Sequence, residues 1–187
     1  MKRIAIFASG NGSNAENIVH YFSNNKYVEI VLIITNNPNA FVLERAKKLG
    51  IKSLVFDKSA FSENDEILQK MKENNINWII LAGFLLKIPK NIIKTFSNKI
   101  INIHPSLLPK FGGKGMYGDR VHQAVIDAKE QESGITIHYV NDHYDEGKII
   151  FQAKCLVEAN DSPEDLAKKI HQLEYKHFPK IIEESIS

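Results

Sequence analysis

Asn102 and His104 are two polar side chains at the end of a short apolar run, residues 99–103. If this run is a strand, its alternation places both side chains on the same face. We expect the strand to end at the carboxyl edge of a parallel sheet, where open α/β folds bind ligands. An amide N–H and an imidazolium are two donors that can stabilise one oxyanion. The pair therefore indicates acid and oxyanion chemistry, whereas a histidine taken alone at a strand end is usually structural.

A carboxylate must lie close to the imidazole if the ring is to stay charged near neutral pH. The loop Asn141-Asp142-His143-Tyr144-Asp145-Glu146-Gly147 supplies several carboxylates. The alternative interpretation of this loop is a solvated hairpin connection, the usual place of an acidic run. We expect one of its carboxylates to face the histidine.

The segment Ser9-Gly10-Asn11-Gly12-Ser13-Asn14-Ala15 lies between a predicted strand and a predicted helix. Its glycines let the backbone turn tightly, and the helix N-terminus offers N–H groups to an anion. The spacing also matches a dinucleotide fingerprint. However, the next strand ends in Thr35-Asn36-Asn37-Pro38 and lacks the acid that would hold a ribose. We therefore prefer a phosphate site with donors from Ser13 and Asn14, and the alternative is a turn that binds no ligand.

Short apolar runs alternate with stretches of helical length through the first half of the chain. The predicted strands are 3–8, 29–34, 77–82 and 99–103, and the predicted helices are 13–22, 41–49 and 62–72. This order indicates βαβ units around a buried parallel sheet. In the second half, residues 133–140 and 148–157 alternate as an antiparallel pair, and Asp161-Ser162 caps a long helix from about Pro163. The predicted fold is α/β: a Rossmann-like, mostly parallel sheet with flanking helices and antiparallel C-terminal strands, in a single domain, 1–187.

Composition narrows the class of partner. The chain carries a formal net charge of +2, which does not call for nucleic acid. Its longest apolar run, 78–86, is too short to span a bilayer, which needs about 20 residues. Cys155 is the only cysteine, so a reducing compartment is indicated. We expect a cytoplasmic protein that binds small molecules, with no nucleic acid, no membrane and no metal, since no His/Cys/Glu spacing suggests a metal site.

Two longer motifs resemble those of a known family. The run Asn102-Ile103-His104-Pro105-Ser106-Leu107-Leu108-Pro109 is similar to the signature of the 10-formyltetrahydrofolate-dependent formyltransferases. The stretch from Gly134 to Gly147 resembles the second signature of that family. The resemblance covers nearly the whole chain and implies 10-formyltetrahydrofolate as co-substrate.

The resemblance also implies a role for each site residue. His104 is the implied general acid, Asn102 holds the formyl oxygen, and Asp145 raises the pKa of the histidine. The implied substrate-binding residues are Gly12, Ser13, Asn14 and Lys110 for a ribose phosphate, and Glu174 for ribose hydroxyls. The implied folate-binding residues are Leu85, Leu86, Lys87, Ile88, Asn102, Asn141, Asp142, His143, Tyr144 and Asp145.

The glycine loop distinguishes substrates within the family. The run Asn11-Gly12-Ser13-Asn14 resembles the members that formylate the amine of glycinamide ribonucleotide in de novo purine (IMP) biosynthesis. The alternative acceptor is an amino-sugar nucleotide. Asn64 stands where family members often carry an arginine that contacts folate. The expected assembly is a monomer or a weak homodimer.

Overall fold

Apolar runs become strands and amphipathic stretches become helices in this protein, in the order that the sequence predicts. The computed structural model describes residues 1–57, 61 and 65–187. The strands are β1 (Lys2–Phe7), β2 (Val28–Thr35), β3 (Lys52–Val55), β4 (Trp78–Leu81), β5 (Ile100–His104), β6 (Glu132–Tyr139) and β7 (Ile149–Leu156). The helices of the described residues are α1 (Ser13–Phe22), α2 (Val42–Leu49), α3 (Glu66–Glu73), α4 (Lys90–Thr95), α5 (Asp119–Asp127) and α6 (Pro163–Ile186).

The strand order is β3-β2-β1-β4-β5-β6-β7. The chain divides into two compact units, residues 1–101 with 186 and residues 102–185 with 187, so the boundary falls inside β5. The α/β class with a mostly parallel sheet and an antiparallel C-terminal pair is confirmed. A single domain spanning the chain stays a prediction.

The first unit is built around β1. This strand pairs in parallel with β2 and with β4, and β2 pairs in parallel with β3. Residues Ile4, Ala5, Ile6 and Phe7 are completely buried, as expected for a central parallel strand covered on both faces. The sequence did not predict β3, because its residues are mostly exposed and lack the apolar run that marks the other strands.

The second unit carries the antiparallel pair. β6 and β7 are in register from Glu132 opposite Leu156, with a shift between Ile137 and His138. The long helix α6 begins at Pro163 as predicted, and a capping box joins Ser162 and Asp165. This box satisfies N–H groups that a helix otherwise leaves open at its first turn.

One predicted helix lies partly outside the described residues, and two helices of the structure were not predicted from the sequence. The helix predicted at 62–72 is seen as Glu66–Glu73, while residues 62–64, including Asn64, lie outside the described residues. The short helices α4 and α5 were not predicted. In the described ranges, no helix is long and apolar enough to cross a membrane.

Candidate active site

His104 closes β5 and is only 4% exposed. Its Nε2 atom lies 2.8 Å from the carbonyl oxygen of Phe111. A carbonyl can only accept, so Nε2 carries a hydrogen and donates it. The other ring nitrogen, Nδ1, lies 3.6 Å from Oδ2 of Asp145. The proton that His104 gains or loses is therefore the one on Nδ1, facing a carboxylate.

Asp145 lies between two imidazoles. Its Oδ1 is 3.6 Å from Nε2 of His138, and its Oδ2 accepts the backbone N–H of Gly113 at 2.9 Å. Burial acts to raise the pKa of Asp145, but the neighbouring rings of His138 and His104 and the Gly113 N–H together bring the pKa below its ordinary value. This carboxylate is therefore ionised at neutral pH.

Burial has the largest effect on His104 as well. It lowers the pKa of the imidazole below its ordinary value, although Asp145 and the Phe111 carbonyl both act to raise it. Asp145 acts in the expected direction, but the loss of solvation in the buried pocket outweighs it.

Asn102 contacts a residue that the sequence interpretation missed. Its Nδ2 lies 3.1 Å from Nε2 of His138, and Nδ1 of His138 lies 2.9 Å from the carbonyl oxygen of Tyr139. Nδ1 therefore carries the hydrogen, and in the neutral ring Nε2 accepts one N–H of the Asn102 amide. The sequence signal was present, since His138 alternates with Ile135 and Ile137 along β6 inside the second motif.

The loop that carries Asp145 is fixed at its end by Gly147. A Cβ atom at this position would lie 1.6 Å from the carbonyl oxygen of Tyr139 and 3.4 Å from Nδ1 of His138. Only glycine permits this approach. Residues 141–144 of the same loop are exposed, and the Asn141 side chain accepts the N–H of His143 at 2.9 Å.

The other predicted residues of the second unit have partners of their own. Lys110 is exposed, and its ammonium lies 2.7 and 3.0 Å from the two carboxylate oxygens of Glu130. Glu174 is buried and lies 2.9 Å from Nδ1 of His171. This hydrogen bond raises the pKa of His171. The second unit thus brings Asn102, His104 and Asp145 into one cluster, to which His138 is added.

The glycine loop belongs to the first unit. Gly12 precedes α1 with a φ of 76°, and a Cβ atom there would lie 2.3 Å from Cγ2 of Val42. Arg45 donates from Nε to the carbonyl oxygen of Asn11 and from Nη2 to its Oδ1, both at 2.9 Å. α2 thus holds the loop from one side, and Ser13 and Asn14 form the first turn of α1.

The segment predicted to contact folate also has an anchored start. The N–H of Leu85 donates to Oγ of Ser9 at 3.0 Å, and Ser9 donates to Oδ1 of Asn36 at 2.6 Å. Leu85 and Lys87 are exposed, Leu86 is half-buried and Ile88 is buried. Leu85 and Leu86 can therefore offer apolar surface to a ligand, whereas Ile88 contributes to the core.

The part of the chain that the structure describes contains no cluster of side chains typical of a metal site. No group of three or more His, Cys, Asp or Glu residues there is placed to hold a metal ion.

Comparisons with known proteins identify the family to which this chain is similar. The family model described as formyl transferase matches residues 2–182. Phosphoribosylglycinamide formyltransferase of Bacillus subtilis is 36% identical, over 98% of this chain and 94% of that protein. The chloroplastic enzyme of the same name from Arabidopsis thaliana is 39% identical over 97% of this chain. The chain spans 64% of the length of that plant relative.

A solved structure gives the same relationship. The crystal structure of phosphoribosylglycinamide formyltransferase from Bacillus halodurans has a TM-score of 0.90 and 34% identity. The match covers 100% of this chain and 96% of that one. The likeness therefore extends through the fold and the sequence together.

Proposed function

The chain belongs to the formyl transferase family, and on this premise we propose that it transfers the formyl group of 10-formyltetrahydrofolate to the amine of 5′-phosphoribosylglycinamide. The product would be the N-formyl amide, as in de novo purine biosynthesis. The observation that carries the proposal is the cluster of Asn102, His104 and Asp145, which joins an amide donor to an imidazole whose Nδ1 faces a carboxylate.

The proposed chemistry uses two donors and one carboxylate. When the amine attacks the formyl carbon, the Asn102 amide donates to the oxygen on which charge develops; a donor of this kind is worth about 2.7–4 kcal/mol. His104 supplies a proton to N10 of the folate as the bond between N10 and the formyl carbon breaks, and the attacking nitrogen releases the proton that it must lose to form the neutral amide. The low pKa of His104 makes its imidazolium a stronger acid, while Asp145 stabilises the charged form.

The proposed acceptor site uses the glycine loop. We assign the ribose phosphate to Gly12, Ser13 and Asn14, because the start of α1 presents N–H groups and a positive dipole to an anion. Lys110 is assigned to the same phosphate. Its ammonium must then leave the carboxylate of Glu130, with which it pairs in this structure. The buried carboxylate of Glu174 is assigned to the ribose hydroxyls.

The proposed folate site comprises two segments. Leu85 and Leu86 would supply apolar contact, with Lys87 and Ile88 as the rest of that segment. Asn141, Asp142, His143, Tyr144 and Asp145 would supply backbone and side-chain polar groups. Exposure of residues 141–144 leaves these groups accessible. No metal enters the proposed reaction, and the protein is proposed to act in the cytoplasm as a monomer or weak homodimer.

An acceptor assay tests the proposal. The purified protein is mixed with 10-formyltetrahydrofolate and either glycinamide ribonucleotide, an amino-sugar nucleotide or buffer, and folate release is followed by absorbance. We expect release only with glycinamide ribonucleotide. His104→Ala should abolish it, whereas His20→Ala, at an exposed position on α1, should not. Equal release in buffer or with the amino-sugar nucleotide would overturn the proposed function.

A further inference from the structure

The segment after His104 folds back onto it. The carbonyl of Phe111 accepts the Nε2 hydrogen of His104, and Phe111 has a φ of 56°. A bulky residue seldom adopts this left-handed conformation, which persists only where the surroundings impose it. The residues that impose this conformation therefore also control the orientation of the His104 ring, which is the proposed acid.

Thr136 provides the first of these constraints. This residue of β6 is completely buried, and its Oγ1 donates to the carbonyl oxygen of Ser106 at 2.7 Å. The same atom accepts the N–H of Leu108 at 3.0 Å and an N–H of Gln152 at 2.8 Å. A hydroxyl has one hydrogen to donate and two lone pairs. The Thr136 hydroxyl is therefore fully used in holding residues 106–108 and Gln152.

Gln152 provides the second constraint. It lies on the exposed side of β7, and its Nε2 donates to Oγ1 of Thr136 and, at 3.1 Å, to the carbonyl oxygen of Leu108. Both backbone polar groups of Leu108 are thereby held by side chains of β6 and β7. Further along, Oγ of Ser106 donates to the carbonyl oxygen of Lys110 at 2.7 Å, which fixes the residue before Phe111.

We propose that Thr136 and Gln152 are positioning residues for His104, which they orient through the segment 106–111. They keep the Phe111 carbonyl on Nε2 and so direct Nδ1 to Asp145. This inference rests on the proposed function for its effect on catalysis, but the orientation of the ring is independent of any substrate. Neither residue touches the reacting atoms in this scheme.

The variants separate hydrogen bonding from packing. Thr136→Val keeps the shape and removes the hydroxyl, and Thr136→Ser restores the hydroxyl without the methyl group. Gln152→Met keeps an unbranched side chain of similar length and removes both N–H donors. Lys154→Met is the matched control, because Lys154 is exposed on the same side of β7 and pairs with Glu132.

Histidine ¹⁵N NMR reads the orientation of the ring without substrate. In the original protein we expect the neutral ring of His104 to hold its hydrogen on Nε2. In Thr136→Val and Gln152→Met the fraction in this tautomer should fall, and the pKa of His104 should fall further, because the Phe111 hydrogen bond raises it. Unchanged tautomer and titration in both variants would overturn the inference, whether or not the protein transfers formyl groups.

Kinetics supplies the second readout. Misplacement of a reacting group by about 1 Å can cost about 10²-fold in rate, so kcat should fall by roughly 10-fold to 100-fold in both variants, with KM changed much less. Thr136→Ser and Lys154→Met should retain the original rate and pH profile. Equal loss in Thr136→Ser and Thr136→Val would show that packing matters and would overturn the inference. If Thr136→Val does not fold, Gln152→Met decides the matter, because its side chain is exposed.

Discussion

Nδ1 of His104 and Oδ2 of Asp145 lie 3.6 Å apart, between side chains that are 5% and 12% exposed. The distance is longer than a direct hydrogen bond, yet the charge of Asp145 still raises the pKa of the imidazole. The carboxylate therefore stabilises the protonated ring by its charge, without a direct hydrogen bond to Nδ1. This arrangement leaves the Nδ1 proton transferable.

Asp145→Asn removes that charge. We expect the pKa of His104 to fall below that of the original protein, because burial then acts with less opposition. An acid must hold its proton, so the transfer rate falls as pH rises through this pKa, and the fall should occur at lower pH in the variant. At neutral pH the loss should be about 10²-fold, the low end for general acid–base catalysis.

The measurements are an NMR titration of His104 and the pH profile of kcat. Glu146→Gln is the matched control, since this exposed residue follows Asp145 in the same loop. It should change neither quantity. If the titration and the profile of Asp145→Asn match those of the original protein, Asp145 has no part in the acid function.

Arg45→Ala removes the guanidinium that holds Asn11 in the glycine loop. Hydrogen bonds from a charged group are worth about 1.5–3 kcal/mol each, and about 1.4 kcal/mol is tenfold in affinity. We expect KM for the phosphorylated acceptor to rise on the order of 10-fold, with kcat and KM for the folate little changed.

Steady-state kinetics with each substrate varied in turn checks this prediction. Lys48→Ala, at an exposed position on the same helix, should behave like the original protein. A rise in KM for the folate alone, or no change for the phosphorylated acceptor, would refute the role given to Arg45.

Gly12→Ala should destabilise the protein. Its φ of 76° lies in the left-handed region, which costs a residue with a Cβ atom roughly 1–2 kcal/mol. The new atom would also meet Val42 at 2.3 Å. The loss lowers the melting temperature by about 2–4 °C per kcal/mol for a chain of this size.

Calorimetry of Gly12→Ala and Gly10→Ala makes the comparison. A Cβ atom at Gly10 would meet no atom within 4 Å. The free energy of unfolding of this control should therefore lie within about 0.5 kcal/mol of that of the original protein. Equal melting of the two variants would show that the contact between Gly12 and Val42 is not a constraint.

Ser162→Ala should weaken the start of α6 by about 0.5–2 kcal/mol, the usual cost of losing an N-cap. The hydrogen bond from the Ser162 hydroxyl has the largest effect on the pKa of Asp165, and together with Lys168 it lowers this pKa to about 2. The variant should return the pKa toward its ordinary value. A carboxyl with a lowered pKa in the folded protein contributes stability above its unfolded pKa, and this is lost as pH falls. The difference between variant and original should therefore be larger at pH 7 than at pH 3.

Urea unfolding at both pH values tests this difference. Ser185→Ala, whose hydroxyl donates to the carbonyl of Ile181 inside the same helix, serves as the control. A difference that does not depend on pH would assign the loss to helix capping alone and leave Asp165 out of it.

The sequence was most informative where one local pattern decides the structure. β1 and α1 were predicted almost to the residue, because a continuous apolar run and a glycine-bounded amphipathic stretch have few other solutions. β3 has no such run. Asn102 and His104 were located from alternation along a strand, which holds whatever the rest of the fold does.

Relationships between distant segments were beyond the sequence. Choosing Asp145 among the carboxylates of its loop required the resemblance, and the contact of Asn102 with His138 depends on strand pairing. The lowering of the His104 pKa by burial could not be deduced from the sequence, because burial is a sum over many neighbours. The Phe111 carbonyl was missed because backbone groups have no signal in side-chain patterns.

The close approach at Gly147 has a consequence for the history of this sequence. Every replacement there adds a Cβ atom, and that atom would overlap the carbonyl oxygen of Tyr139. No amino-acid replacement at this position can therefore be neutral unless the strand end has already moved. The position is closed to drift by backbone geometry alone, so it should remain glycine even in descendants that have lost the activity but kept the fold.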